Sequence, residues 1–191
     1  MFDSHGAEAK NNMSAIQTKV PAGRWSLDPV HSAVGFEVDY LAGTFRGQFR
    51  DVQAELGIAG SGARITGSAD VASVDVKDEN LAAHLQSPDF FDAERFPTLR
   101  FVAEDVDLDS ESVVVPGEIT IKGVTKPVEV TGTLSEPMAD AYGNERLGLK
   151  LSARVDRTDF GVDWNTPLPT GDQALANDVT IVAELQLVKA A

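Results

Sequence analysis

The sequence predicts an all-β fold in which antiparallel strands close on themselves as a barrel. Apolar and polar residues alternate in about eight short segments, and in two of them, 147–155 and 179–187, the alternation is almost unbroken. Because successive side chains on a strand point to opposite faces, each segment has one apolar and one polar face. Short turns join the segments and only one helix interrupts them, so the apolar faces must enclose a common interior.

The predicted strands begin soon after Trp25. Val34, Phe36 and Val38 alternate with small or acidic neighbours, which is typical of a half-buried strand. Between residues 44 and 58 the apolar positions change parity near Arg50–Asp51, and this change predicts a β-bulge. We expect a turn at 57–62, a tight hairpin at 121–124, and further strands at 64–74, 99–106, 112–121, 124–134, 147–155 and 178–188.

One short helix is predicted at residues 78–86. Asp78 can cap its first turn, Leu81 and Leu85 lie one turn apart, and Pro88 ends it. The irregular stretch 156–177 contains two prolines, and we expect it to be a loop over one end of the barrel.

Length and charge limit the domain count and the kinds of partner. The 191 residues suit one domain at 23–191, with residues 1–22 expected to be a disordered arm within which Met13 is an alternative start. Sixteen basic against thirty acidic residues give a net charge of −14, which argues against nucleic acid and anionic membranes. Because we find no export signal or membrane span, we expect a cytoplasmic protein that is not integral to a membrane.

The sequence offers little reaction chemistry, and we predict that the protein is not an enzyme. It has no cysteine, and His5, His31 and His84 lack the spacing of metal ligands. A metal site on His31, His84 and a carboxylate is a minor alternative, and no cofactor is predicted. Asp28, His31 and Ser32 could form a triad, but no nucleophile elbow accompanies them. A turn in which Asp28 and Ser32 bond local backbone and His31 fills the gap explains them more simply.

Small residues at inward positions raise the question of what fills the interior. An eight-stranded barrel is either filled by its own side chains or holds one slender ligand. Each Leu-sized deficit in a core costs about 2–5 kcal/mol, so larger neighbours or a bound molecule must compensate. The residues alone leave both interpretations open. The small positions are Gly67, Ala69, Gly117, Gly132, Ala153 and Ala183.

Six motifs, in order along nearly the whole folded chain, resemble the YceI-like family. They lie at 25–36 (beginning Trp-Ser-Leu-Asp-Pro), 43–49, 84–92, 96–101, 116–128 and 157–162. The resemblance implies a lipocalin-like, extended antiparallel barrel that binds polyisoprenoids or similar long amphiphilic chains in its lumen, without catalysis. Many members of the family are periplasmic, whereas this sequence shows no export signal. Tyr40 stands where relatives often have histidine.

We therefore predict a carrier, storage or sequestering protein whose lumen holds a polyisoprenoid, a quinone or a similar lipid. The predicted lumen residues are Val34, Phe36, Val38, Phe45, Phe49, Phe101, Leu149, Leu151, Ala153, Ile181, Ala183 and Leu185. The candidates for contact with a headgroup at the rim are His31, Tyr40, Arg46 and Arg157.

Two other functions stay open at this stage. One is an enzyme that acts on a small apolar substrate and uses His31 as acid or base. The other is a fully packed barrel that serves as an interaction module. Whatever the function, an edge strand such as Val179–Leu187 could pair with a second copy and form a homodimer.

Overall fold

A computed structural model describes residues 19–191, and its secondary structure is mostly strand. One helix, α1 (Glu79–Gln86), and two 3₁₀ turns, Val71–Ser73 and Arg157–Phe160, interrupt the strands. The strands are β1 (Gly23–Leu27), β2 (Ala33–Tyr40), β3 (Gly43–Phe49), β4 (Val52–Ala59), β5 (Gly62–Asp70), β6 (Val74–Asp75), β7 (Thr98–Val106), β8 (Ser112–Ile121), β9 (Val124–Leu134), β10 (Met138–Ala139), β11 (Glu145–Asp156) and β12 (Leu175–Lys189).

These strands form a closed antiparallel barrel, which confirms the predicted fold class. Pairing runs from β11 through β9, β8, β7, β5, β4 and β1 to β12, and β12 pairs with β11 to close the ring. The pairs β1–β2, β3–β4 and β5–β6 are each one long strand with a break, so the barrel has eight strands.

The parity change near Arg50–Asp51 marks the break between β3 and β4. Phe49 is buried before it and Leu56 is buried after it, so the strand turns its other face inward as predicted. The two backbone N–H groups at the break donate to Ser73, one to its carbonyl at 3.1 Å and one to its hydroxyl at 3.0 Å.

Two hairpins show how local sequence sets the turns. Lys122 and Gly123 both have positive φ, 49° and 74°, as a two-residue turn of the tightest type requires. A Cβ on Gly123 would meet the Phe96 ring at 2.5 Å, so this position needs glycine for close approach as well. The predicted turn at 57–62 is narrower than expected, because β4 and β5 pair as far as Ala59 and Gly62.

The helix is confirmed almost to the residue. The Asp78 carboxylate accepts a bond from the Leu81 N–H at 2.9 Å, which satisfies a donor that a helix start leaves unpaired. Leu85 is the buried residue of α1 and turns toward the barrel. No helix among residues 19–191 has the length and hydropathy to span a bilayer.

One end of the barrel, here called the closed end, is packed with side chains. Trp25, Leu108 and Leu147 are almost completely buried there. Val20, at 1% exposed, belongs to the same cluster, so the boundary of the arm at residue 22 is wrong: the folded part includes Val20. The rest of the predicted arm, residues 1–18, lies outside the described residues.

The opposite end, here called the helix end, comprises residues 40–43, 70–98, 121–124 and 156–175. β12 begins at Leu175, earlier than the predicted 178, and pairs with β2 from that residue. Both edges of β12 are paired, one with β11 and the other with β2 and β1. The prediction that Val179–Leu187 offers a free edge to a second copy is therefore wrong.

Candidate functional site

An apolar cavity of about 490 Å³ occupies the helix-end half of the barrel. Inward residues of the strands form its wall, while α1 and the connections 87–97 and 156–175 cover its end. Tyr40, 41% exposed, lies where the lining reaches solvent. The interior is therefore not solid, contrary to the alternative of a fully packed barrel.

The structure places eleven of the twelve predicted lumen residues on the cavity wall. The exception is Leu149, which is 1% exposed and packs in the closed-end cluster with Trp25 and Leu187. Two residues further along β11, Leu151 faces the cavity. Leu149 was wrongly predicted because strand alternation identifies the inward face but not the level at which packing gives way to space.

Four of the six small inward residues line the cavity: Gly67, Ala69, Ala153 and Ala183. The other two are small for different reasons. A Cβ on Gly117 would meet the Phe101 ring at 2.7 Å, so that ring already covers the glycine. A Cβ on Gly132 would overlap the Lys150 carbonyl oxygen, so β9 and β11 approach too closely there for any side chain.

Residues that cover the cavity were missed by the sequence analysis. They come from α1 and the connections, where no two-residue period marks a buried face. The adjacent aromatic residues Phe90 and Phe91 are the visible signal in this part of the sequence. The missed lining residues are Leu81, His84, Leu85, Phe90, Phe91, Phe160, Val162, Trp164 and Leu175.

His84 is the histidine that lines the cavity. Its Nε2 lies 3.0 Å from an Asp89 carboxylate oxygen. Its ring packs edge-on against Phe90 and Trp164, with centroids 4.9 and 5.0 Å away. The aromatic neighbours and the carboxylate together fix the orientation of the imidazole beside the cavity.

Arg157 also lines the cavity, but it organises the covering loop. Its five N–H groups donate to the carbonyl oxygens of Val162, Trp164, Leu175 and Ala176 and to the side-chain carbonyl oxygen of Asn177, at 2.7–3.4 Å. Burial lowers the pKa of this guanidinium, and the carboxylates of Asp156 and Asp163 act in the opposite direction. A guanidinium has five N–H donors, so Arg157 has none left for a headgroup, and its predicted rim role is wrong.

The other rim candidates divide between the cavity and the outer surface. Tyr40 lines the cavity, and its role as a headgroup contact stays a prediction. Arg46 lies outside, where its side chain is 64% exposed and pairs with Glu37 at 2.9 Å. Its position on β3 has the outward parity, since Phe45 and Gly47 face the interior. The prediction of Arg46 as a headgroup contact is therefore wrong.

His31 lies in the break between β1 and β2, outside the cavity. Its Nδ1 is 2.8 Å from the Asp28 carboxylate, and its side chain is 59% exposed. It neither fills the turn nor contacts the cavity, so both its predicted rim role and its use as an acid or base toward a bound substrate are contradicted. Ser32 bonds the backbone of Gln186 on β12 instead of local backbone.

Asp28 belongs to an ion network that joins the β1–β2 break to the β10–β11 hairpin. Arg146 donates to Asp28 at 2.7 Å and to Asp140 at 2.8 Å. These bonds hold the pKa of both carboxyls well below its ordinary value and raise the pKa of Arg146. No group of three or more metal-ligating side chains is assembled within residues 19–191.

Comparison with known proteins assigns the chain to a family. The model of the YceI-like domain matches residues 25–187. A UPF0312 protein of Staphylococcus aureus (strain MSSA476) is 32% identical over 170 residues, which cover 85% of this chain and 95% of that protein. A UPF0312 protein of Photorhabdus laumondii is 28% identical over 134 residues, or 68% of this chain and 70% of that protein.

Solved structures share the fold. BcnA of Burkholderia cenocepacia matches with a TM-score of 0.72 at 22% identity, over 84% of this chain and 98% of that chain. A polyisoprenoid binding domain from Saccharophagus degradans matches with a TM-score of 0.65 at 12% identity, over 87% of this chain and 98% of that chain. The family model and the curated relatives, together with this shared barrel, show that the chain belongs to the YceI-like domain family.

Proposed function

We propose that this protein binds a long-chain amphiphile, such as a polyisoprenoid, a quinone or a similar lipid, in its cavity. The observation that carries the proposal is an apolar cavity of about 490 Å³ that reaches solvent at one end and stops at packed side chains at the other. Its volume lies within the range of small-molecule sites, about 300–1,000 Å³, and its lining has the same apolar character. The proposed activity is binding, for transport, storage or sequestration, and involves no catalysis.

The shape of the cavity suits a chain better than a compact ligand. On β12 the lining extends from Leu175 to Leu185, which is about 33 Å along the strand. With the usual tilt of barrel strands, this corresponds to roughly 25 Å along the barrel axis. The packed level at Leu149 then limits how far a tail can enter, so the site should distinguish tails by length.

Burial of an apolar tail supplies enough free energy for binding. Each buried CH₂ contributes about 0.8 kcal/mol, so one five-carbon unit contributes roughly 3–4 kcal/mol before opposing terms. A few such units exceed the several kcal/mol lost when a flexible chain is immobilised. The energy depends little on chemical detail along the tail, which is why we assign the site to a class of lipids.

The test is to block the cavity and measure the bound lipid. Ala183 lines the cavity and pairs with Leu151, another lining residue, so Ala183→Trp should fill the tail site. Val114→Trp is the matched control, because Val114 is 53% exposed on the outer face of β8. Purified proteins are denatured and extracted, and the lipid per protein is measured by mass spectrometry.

We expect lipid in the wild type and in Val114→Trp, and at least a tenfold decrease in Ala183→Trp. Circular dichroism must show that the variant is folded; if it is not, Ala153→Trp on β11 replaces it, since Ala153 lines the same cavity. A wild type that carries no lipid and binds none added to it would contradict the proposal. So would a folded, blocked variant that carries as much lipid as the control.

A further inference from the structure

Four side chains with polar atoms turn into the cavity among residues 19–191: Tyr40, His84, Arg157 and Trp164, whose indole N–H is a donor. The remaining polar residues of the lining alternate with inward neighbours and therefore point away from the interior. The chemistry of these four groups decides what kind of headgroup the cavity can accept. The outward set is Gln53, Thr66, Ser68, Arg100 and Ser152.

Arg157, the cation that turns into the cavity, has no free N–H group to donate to an anion. All five N–H groups of Arg157 bond protein oxygens, and four of those oxygens are backbone carbonyls. The nearby carboxylates of Asp156 and Asp163 also offset its charge. An anionic headgroup needs several donors at hydrogen-bond distance, preferably charged ones, to replace its water. Arg157 cannot supply them without breaking the loop that it holds, and Tyr40 and Trp164 offer one uncharged donor each.

His84 presents an acceptor instead. When the ring is neutral and its Nε2–H donates to the Asp89 carboxylate, the lone pair is on Nδ1. Nδ1 has no hydrogen-bond partner among residues 19–191, and the His84 side chain is 34% exposed. Such an atom accepts from water or from a ligand that donates a hydrogen bond, and an ionised phosphate has no proton to donate.

The charge around the cavity entrance also disfavours an anionic headgroup. The helix end carries eleven Asp and Glu residues against four Lys and Arg residues, a net charge of −7. Of the four cations, Arg157 is committed as above, Arg95 lies near Asp92, and Lys122 donates to the carbonyls of Pro88 and Gly161. The fourth, Lys77, is exposed just before α1. A negative entrance repels anionic amphiphiles and leaves uncharged ones unaffected.

We propose that the headgroup of the ligand is uncharged and donates a hydrogen bond to His84, as a terminal alcohol would. The inference rests on the proposed function, since a headgroup is placed here only if the tail occupies the cavity. It narrows the ligand from long-chain lipids in general to long-chain alcohols and groups with the same polarity, and it excludes phosphate-terminated chains.

The test compares three probes with one tail: geranylgeraniol, its methyl ether and geranylgeranyl monophosphate. Affinities are measured by calorimetry at about pH 8, where the phosphate is fully ionised because its second pKa is about 6. We expect the alcohol to bind about fivefold more tightly than the ether, the value of one hydrogen bond, and at least tenfold more tightly than the phosphate. The deficit of the phosphate should decrease at about 0.5 M salt, because salt screens the negative entrance.

A pair of variants tests whether His84 is the residue that accepts the hydrogen bond from the headgroup. His84→Phe keeps an aromatic ring beside Phe90 and removes the acceptor, so the preference for alcohol over ether should disappear. His31→Phe is the matched control: His31 is also bonded to an aspartate, at 2.8 Å, but lies outside the cavity, and the preference should persist. A phosphate that binds as tightly as the alcohol, or an unchanged preference in His84→Phe, would overturn this inference. If none of the three probes binds, the proposed function fails as well.

Discussion

Replacement of Arg157 by methionine should detach the loop that covers the cavity. Arg157 is 6% exposed, and its guanidinium connects the end of β11 with two carbonyls of the covering loop and the start of β12. Methionine has a similar apolar stem but donates no hydrogen bond. The carbonyl oxygens of Val162, Trp164 and Ala176, which accept at 2.7–2.9 Å, would lose their donor.

The magnitude follows from these contacts. A hydrogen bond to a charged donor contributes about 1.5–3 kcal/mol, and a buried carbonyl left unpaired costs about 1–3 kcal/mol. The three bonds act on one loop and are not additive, and water reaches part of that loop once it loosens. We therefore expect Arg157→Met to lower the free energy of unfolding by about 3–5 kcal/mol. For a domain of this size the Tm should fall by about 6–20 °C.

Urea unfolding of the two proteins measures this difference, with Arg154→Met as the control. Arg154 lies three residues earlier, on β11, but its side chain is 75% exposed and it pairs with Asp178 at 3.1 Å, so its loss should cost less than about 1 kcal/mol. Arg157→Lys should not restore stability, because an ammonium cannot reach acceptors arranged around a planar fork. If Arg157→Met costs no more than the control, the guanidinium does not hold the loop and the reasoning fails.

Two further predictions concern the ion network and the two halves of the interior. Asp28 and Asp140 have depressed pKa values in the folded state, so their contribution to stability is complete above about pH 5 and is lost as pH falls. The Tm difference between wild type and Arg146→Gln should therefore shrink below about pH 4, and a difference that stays constant down to about pH 3 would contradict the role of the network. Leu149→Ala, in the packed half of the interior, should lower the free energy of unfolding by about 2–5 kcal/mol. Leu151→Ala, on the cavity wall, should lower it by less than half as much. Equal urea midpoints for the two variants would contradict the division of the interior into a packed half and an open half.

The sequence was sufficient for the strands and the helix because both depend on local rules. The parity change at Arg50–Asp51 appears in the structure as a break at the same residues, since a strand that presents its other face must rotate or bulge. The helix was located by a cap and a stop signal at its two ends, and Asp78 does accept from the first turn. These features need no knowledge of which strands meet.

The extent of the cavity could not be predicted, because it depends on contacts between distant segments. Leu149 and Leu151 are alike in type and parity, yet one is packed and the other faces open space. The difference arises from the side chains at the level of Leu149, Trp25 and Leu187 among them. Likewise, Gly117 is covered by Phe101 on a neighbouring strand, a contact that only the register of β7 and β8 reveals.

The two histidines that bond aspartate show why a site needs topology as well as motifs. His31 follows Asp28 by three residues and His84 precedes Asp89 by five, and each pair is bonded at 2.8–3.0 Å. Neither spacing indicates which imidazole meets a ligand. The break that carries His31 lies on the outer surface of the wall, whereas α1 carries His84 across the end of the barrel, where its ring meets the cavity. The same residue pair is thus part of an ion network on the outer wall in one place and a candidate ligand contact in the other, and the difference lies in the connection between β6 and β7.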